Sequence, residues 1–365
     1  MDRPISIFVD AHVFDELPQG TVTYLVGLYR EIAKDDRFEI MLAAASRTRT
    51  EELMGDVPFS FYKYEKKNKF LRLLYEIPRV VKDNAIDYVH FQYICSPFVS
   101  CKVINTIHDL LFVDHPKLFP WKYRVKNRIL FYLSALRSDI ICTVSGYSAD
   151  AIEKHFRIPR KDIVITPNAV NMVRNADGNC VSELKSKKFI LLVSRIEPRK
   201  RQLDLLRTWR ELGLADQGYY LVIVGKLYVE YPEFVDEVES LSADERRYFK
   251  MYDRVASNET VAWLYSNCSL FVYPSEAEGF GIPPLEAAVC GAKVICSNQT
   301  AMSDFSFFSD YLFDPTVQGE MKRLILLTLE CDYPHREIER QITSRFSWHR
   351  SAELLINRLL TNDEK

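Results

Sequence analysis

Two glutamates, Glu278 and Glu286, frame the segment of this 365-residue chain that carries the most chemistry. It runs Tyr273-Pro-Ser-Glu-Ala-Glu-Gly-Phe-Gly-Ile-Pro-Pro-Leu-Glu-Ala-Ala-Val-Cys-Gly-Ala-Lys-Val-Ile-Cys296 and reads as strand, glycine-rich turn, helix and strand. Gly279 and Gly281 permit backbone conformations closed to residues with a Cβ and let the chain approach a ligand closely. Pro283 and Pro284 suit a first helical turn, where amide donors lack intrahelical partners anyway. The helix that starts there directs its first-turn N–H groups and a partial positive charge back at the turn, which favours an anion such as a diphosphate. Carboxylates beside a phosphate are unfavourable unless they accept hydrogen bonds from hydroxyls, so a ribose or a hexose rationalises the two glutamates. Read alone, the segment also fits a plain connecting turn with glutamates on either side. Two other stretches carry charge at strand ends. Val193-Ser-Arg195-Ile-Glu-Pro-Arg-Lys200 is a strand running into a basic loop, and Val103-Ile-Asn-Thr-Ile-His108-Asp109 is an apolar strand ending in a His-Asp pair.

The elements that must position these residues follow from the hydrophobic pattern. Short β-branched and aromatic runs alternate with longer helical patterns, which predicts βαβ units around parallel sheets. In the first half, strands are expected at 5–9, 40–44, 88–92, 102–107, 140–144 and 163–166, with helices at 21–33, 121–137 and 148–155. Residues 171–188 turn polar and lose periodicity, the mark of a linker. A second series follows, with strands at 189–193, 219–224, 270–273 and 293–296 and helices at 203–212, 258–266 and from Pro283 onward. The charge-rich stretch 243–254 reads as a solvated helix or loop without function. The expected domains are therefore 1–170 and 189–345, joined by the linker 171–188, with 346–365 a terminal segment. Two doubly wound sheets leave a crevice at the carboxyl ends of their strands, where open α/β sheets bind ligands.

Composition removes several classes of function. Hydrophobic residues at 47% and charged residues at 27% describe a globular protein with real cores, and a formal charge of −2 offers nucleic acid no basic surface to bind. The eight cysteines are scattered with no C-x-x-C pair, so they read as reduced thiols that mostly fill cores. Residues Ile5 to Val9 suit a strand better than the core of a signal peptide, and no apolar run reaches the ~18 residues of a membrane-spanning helix. A cytoplasmic protein is expected, with any membrane contact peripheral. Two basic amphipathic stretches, 63–82 and 122–137, could provide such contact or could be solvated faces of core helices.

The spacing Glu278-x7-Glu286, with Gly-Phe-Gly-Ile-Pro-Pro inside it and Glu-Ala-Ala-Val-Cys-Gly-Ala-Lys-Val-Ile after, resembles the E-x7-E motif of the retaining GT-B glycosyltransferases of family 4. The likeness is strongest over 189–300 and extends along most of the chain. It implies an α/β fold of the GT-B class, two Rossmann-like doubly wound domains with an interdomain cleft. It also implies that Glu278 lies next to the donor sugar, that Glu286 binds the nucleotide ribose, and that the amides of Phe280, Gly281 and Ile282 meet sugar hydroxyls. Arg195 and Lys200 would face the donor diphosphate, where fixed cations stabilise charge gathering on the leaving β-phosphate. His108 would lie against the donor sugar near the acceptor, with an imidazole whose near-neutral pKa suits proton movement. Gly20, in Gln19-Gly20-Thr21, would approach donor phosphate and acceptor. Ser145 and Asn168 resemble further cleft segments or act as caps. Ala169 replaces a common glycine, and Asp304 stands where the family has glutamate. Phe346-Ser-Trp348 with 351–360 resembles a terminal helix that returns to the first domain.

The implied reaction is transfer of a hexose from a GDP- or UDP-linked sugar to a saccharide or lipid-linked saccharide, with retention, in bacterial cell-surface polysaccharide synthesis. The chain contains no Asp-x-Asp triplet to hold a divalent cation against a diphosphate, so Arg195, Lys200 and the helix terminus are expected to serve without metal or cofactor. A nucleotide-sugar epimerase or hydrolase, or a non-catalytic sugar-nucleotide-binding protein, would fit the same scaffold. A dinucleotide oxidoreductase would not, because Val9-Asp10-Ala11-His12 lacks the glycine fingerprint.

Overall fold

A computed structural model of the chain describes residues 3–15, 20–66, 68–175, 180–227, 229–255 and 257–363. Its contacts gather into two compact units, Met1–Ala169 with Phe346–Lys365, and Val170–Arg345. Residues 176–179 of the expected linker, and Gln19 of the Gln19-Gly20-Thr21 turn, lie outside the described residues.

The first unit is built on seven parallel strands: β1 Ile5–Asp10, β2 Phe38–Ala44, β3 Ser60–Lys63, β4 Tyr88–Gln92, β5 Lys102–Thr106, β6 Ile140–Thr143 and β7 Ile163–Ile165. Their order is β3-β2-β1-β4-β5-β6-β7, and the register sets Val9 of β1 opposite Leu42 of β2 and His90 of β4. Strand β4 is buried at all five positions because helices cover both faces of a parallel sheet. The order reverses between β1 and β4, so the loops leaving β1 and β4 diverge and open a crevice at their carboxyl ends. Helix α1 Gly20–Ile32 buries Tyr24, Leu25, Leu28, Tyr29 and Ile32, an apolar stripe at helical spacing. Helices α2 Trp121–Arg137 and α3 Gly146–Phe156 follow, the latter capped by Ser145, whose side chain accepts from the Ser148 amide at 3.1 Å.

The second unit repeats the plan with six parallel strands: β8 Lys188–Val193, β9 Tyr219–Val224, β10 Phe249–Tyr252, β11 Leu270–Tyr273, β12 Val294–Ser297 and β13 Leu312–Phe313. Their order, β10-β9-β8-β11-β12-β13, reverses between β8 and β11. Helices α4 Gln202–Glu211, α5 Asn258–Asn267 and α6 Ile282–Val289 pack around this sheet. Trp209 of α4 is fully buried and its indole N–H donates to the Tyr219 carbonyl at 3.0 Å, which satisfies the one polar atom of the largest core side chain. The last helix, α7 Trp348–Asp363, belongs to the first unit. There the Trp348 ring sits edge-on to Tyr24 at 6.2 Å, and the Ser351 hydroxyl donates to the Pro167 carbonyl at 2.7 Å.

The doubly wound α/β class expected from the alternating pattern is the fold observed, and three strands add to it. β3, β10 and β13 stand at sheet edges, where a short strand buries little and shows weak alternation. The second of them corrects the reading of 243–254 as solvated helix or loop. A capping box of Ser242 and Glu245 starts a helix at Ala243, and Phe249–Tyr252 then pairs along β9.

Candidate functional site

The reversal between β8 and β11 places two loops side by side at the carboxyl edge of the second sheet, and these loops carry most of the residues singled out above. After β11 the chain passes through Glu278 to Gly281, which caps α6 with φ at +94°. A Cβ there would also lie 2.9 Å from Met302 Cγ, so glycine is required on both counts. Pro283 and Pro284 have no N–H, leaving Ile282 and Leu285 to supply the amides of the first turn of α6.

Glu278 is almost fully buried and holds a compact charge cluster. Its Oε1 accepts from the Lys200 ammonium and from the Tyr273 hydroxyl, the latter at 2.8 Å, while Lys200 Nζ lies 3.0 Å from the same hydroxyl. Arg199 stands 3.5 Å from Glu278 Oε2 and pairs with Glu197 at 2.6 Å. The Glu278 amide donates to Thr300 Oγ1 at 2.9 Å. Burial alone would raise the pKa of Glu278, but Lys200 and Arg199 more than offset it and bring it to about 2, so the carboxylate is ionised at neutral pH. Burial pulls the Lys200 ammonium below its ordinary value, with Glu278 opposing that trend.

Arg195, five residues before Lys200, has the opposite surroundings. Its side chain is exposed while its backbone is held from two sides. The Gln202 amide donates to the Ser194 hydroxyl at 3.0 Å and the Arg195 carbonyl at 2.8 Å. Behind it Gly225 runs so close that a Cβ would meet the Ser194 carbonyl at 1.8 Å. These contacts fix the backbone that carries the exposed Arg195 side chain. Glu286 receives the Tyr265 hydroxyl at 3.4 Å, and burial pushes its carboxyl up to about 7, which that one hydrogen bond only partly relieves. Additional hydroxyls donating to Glu286 would favour its ionised form.

In the first unit, His108 follows β5 and is buried, with Nε2 2.7 Å from Gln92 Oε1 and its ring 4.9 Å from Tyr24 and 5.3 Å from Tyr93. Burial lowers its pKa to about 3, which corrects the expectation of a near-neutral imidazole. With Nε2–H assigned to the Gln92 oxygen, Nδ1 is the ring's acceptor, suited to receiving a hydroxyl hydrogen bond rather than a proton. Gly20 is exposed at the start of α1. Asn168 is buried, and its Oδ1 has no hydrogen-bond partner among the described residues. Asp304 is exposed and ends the 3-10 turn Thr300–Asp304.

The structure thus gathers Lys200, Glu278, Phe280, Gly281, Ile282 and Glu286 on the two switch-point loops and α6, with Arg195 on the first of those loops. His108 and Gly20 belong to the other unit. Sequence reading missed Arg199, which sits inside the quoted basic loop, and Tyr273, Thr300 and Gln92, which reach their partners only through tertiary contact. Among the described residues, no three His, Cys, Asp or Glu side chains converge as metal ligands, and no helix is long and apolar enough to cross a membrane.

Two doubly wound parallel sheets define the GT-B class of glycosyltransferase, and solved structures of that class share the fold over nearly the whole chain. Anabaena HepE in complex with UDP and glucose matches with a TM-score of 0.72 at 16% identity, covering 98% of this chain and 100% of that one. The sucrose-phosphate synthase of Thermosynechococcus elongatus matches with a TM-score of 0.70 at 16% identity, covering 98% of each. Two family models match in tandem, Glycosyltransferase Family 4 over residues 18–174 and Glycosyl transferases group 1 over residues 181–344. The chain belongs to the group 1 glycosyltransferases of family 4. Relatives include the serotype-specific mannosyltransferase WbdA of Escherichia coli, 28% identical over 71% of this chain. The chain spans about a third of the length of WbdA, 33%. O-antigen chain mannosyltransferase B of the same species is 27% identical over 70% of this chain and 69% of its own length.

Proposed function

We propose that the chain transfers a hexose from a nucleoside diphosphate sugar to a hydroxyl of a saccharide, free or lipid-linked, with retention of anomeric configuration. The observation that carries this reading is the convergence at the β8/β11 switch point of an ionised Glu278, the cations Arg199 and Lys200, and the Gly281-capped start of α6, with Arg195 on the same loop as Lys200. In this reading the diphosphate lies between the basic loop and α6, with Arg195 and Lys200 neutralising charge on the leaving β-phosphate as the glycosidic C–O bond breaks. Glu286 accepts ribose hydroxyls, and Glu278 and the amides of Phe280, Gly281 and Ile282 orient the sugar. Lys200 is shared between Glu278 and phosphate, so the same ammonium couples sugar position to leaving-group charge.

The names of the relatives favour mannose as the sugar and a bacterial surface polysaccharide as product, and we propose GDP-mannose as the donor. The protein then acts at the cytoplasmic side, where nucleotide sugars are present. Incubation with GDP- and UDP-sugars and a panel of saccharides, with NMR of the anomeric proton in the product, tests the reading. An α-linked product from an α-donor supports retention, and an inverted linkage refutes it. Transfer is expected to need no metal, and dialysis against EDTA should leave the rate within twofold. Abolition by EDTA with rescue by Mg²⁺ would overturn that part. Donor epimerisation or hydrolysis without any acceptor would point to the alternative chemistry on this scaffold.

A further inference from the structure

Helix α2 buries Phe131 and Ala135 together with the polar Asn127 and Ser134, yet Trp121, Val125, Ile129, Leu133 and Leu136 are each more than half exposed. Their spacing of four, four, four and three places them along one face, a continuous apolar stripe ~22 Å long at 1.5 Å per residue. Single exposed apolar side chains are ordinary, but a stripe of five on one helix marks a surface meant to be covered. The same helix carries Lys122, Arg124, Lys126, Arg128 and Arg137 and no acidic residue, although the whole chain has a formal charge of −2. Beside it lies a cavity of about 580 Å³ whose apolar walls include Leu74, Ile94, Leu130 and Leu133, with the exposed Lys69 and Lys126 among its lining. Lys126 Nζ stands 5.9 Å from the Phe70 ring, so a cation bridges the segment at Phe70 and α2.

We propose that α2 docks on an anionic lipid leaflet, with its apolar stripe in the acyl boundary, its cations on headgroup phosphates, and one hydrocarbon chain entering the adjoining cavity. Charge complementarity selects this occupant. Exposed hydrophobes interleaved with five cations match an interface that is apolar below and negative above. A second copy of the chain would bring five like charges against these five. The inference rests on the proposed transfer reaction only in that it makes a lipid-linked acceptor the one presented to the protein.

The chain has four tryptophans, and Trp209, Trp263 and Trp348 are buried, so a change in indole emission on adding vesicles reports Trp121. Vesicles of phosphatidylcholine with one-third phosphatidylglycerol should sediment the protein and shift its emission to the blue, and pure phosphatidylcholine should bind at least tenfold more weakly. Raising salt to 0.5 M should cost a further tenfold or more, because screening removes the electrostatic part. Ile129→Glu with Leu133→Glu should abolish sedimentation while thermal midpoint and transfer to a water-soluble saccharide stay unchanged, since both side chains already face solvent. Leu74→Trp, in a Trp121→Phe background, should be quenched by phosphatidylglycerol brominated near the acyl terminus if a chain enters the cavity. No quenching refutes the cavity assignment. Equal binding to neutral and anionic vesicles, no binding to either, or a dimer in solution that the double glutamate variant dissolves would overturn the proposal. Vesicle binding requires neither donor nor acceptor, so its failure leaves the transfer reaction standing, and failure of transfer leaves vesicle binding intact.

Discussion

Replacing Lys200 by methionine removes the ammonium from Glu278 while keeping most of the aliphatic stem. In the parent protein the fall of the Glu278 pKa from 4.5 to about 2 corresponds to roughly 3 kcal/mol of preference for the ionised form, at ~1.4 kcal/mol per pH unit. A carboxyl with a depressed folded-state pKa stabilises the fold fully above its unfolded value and loses that contribution as pH falls from about 4.5 toward about 2. The second unit of the parent protein should therefore lose stability over that window. In Lys200→Met, burial, the largest influence on Glu278, is opposed by Arg199 at 3.5 Å without the ammonium. The carboxyl pKa rises, and stability between pH 2 and 4.5 should become flat or change slope. At pH 7 the variant should be less stable by about 3 kcal/mol, the scale of breaking a buried pair. Adding Glu278→Gln should return most of that loss, because no buried charge is then stranded. Urea titrations at half-unit pH steps, read by circular dichroism, measure all three. A loss under 1 kcal/mol at pH 7 with the parent's acid slope retained would refute the idea that Lys200 holds Glu278.

Glu286 has the opposite linkage. Its folded-state pKa is raised to about 7, so its contribution is complete below about 4.5 and is lost as pH rises through 7. Glu286→Gln should therefore stabilise the protein by ~1–3 kcal/mol at pH 8 relative to pH 5. Calorimetric affinity for a nucleoside diphosphate should rise from pH 6 to pH 8 in the parent and stay flat in the variant. Gly225→Ala forces the backbone at Ser194 to move, since the new Cβ would lie 1.8 Å from its carbonyl, and should weaken diphosphate binding at least tenfold through displacement of the Arg195 loop. Unchanged affinity in that variant would separate Arg195 from the phosphate site.

Elements that bury both faces were readable from sequence because nothing about them depends on distant partners. Strands β4, β9 and β11 were expected with the bounds observed, each an apolar run closed by turn residues. Edge strands β3 and β10 were not, because a sequence such as Phe-Lys-Met-Tyr becomes a strand only when β9 offers it a ladder. The candidate site divides along the same line. Gly281 and the helix it caps were legible as local backbone chemistry. The pairing of Lys200 and Arg199 with Glu278, across 78 and 79 positions of sequence, was not. Residue type alone also misjudged His108, whose acidity is set by how deeply β5 carries it into the first unit.

The first unit is discontinuous, since α7 packs on it only after the whole of the second unit has been threaded between. During synthesis the contiguous stretch 170–345 can therefore close its core while the earlier-made unit still lacks Trp348 beside Tyr24 and the Ser351 tether to Pro167. The half made first is the half finished last, so nascent chains released before residue 346 should present chaperones with an opened first unit beside a mature second one.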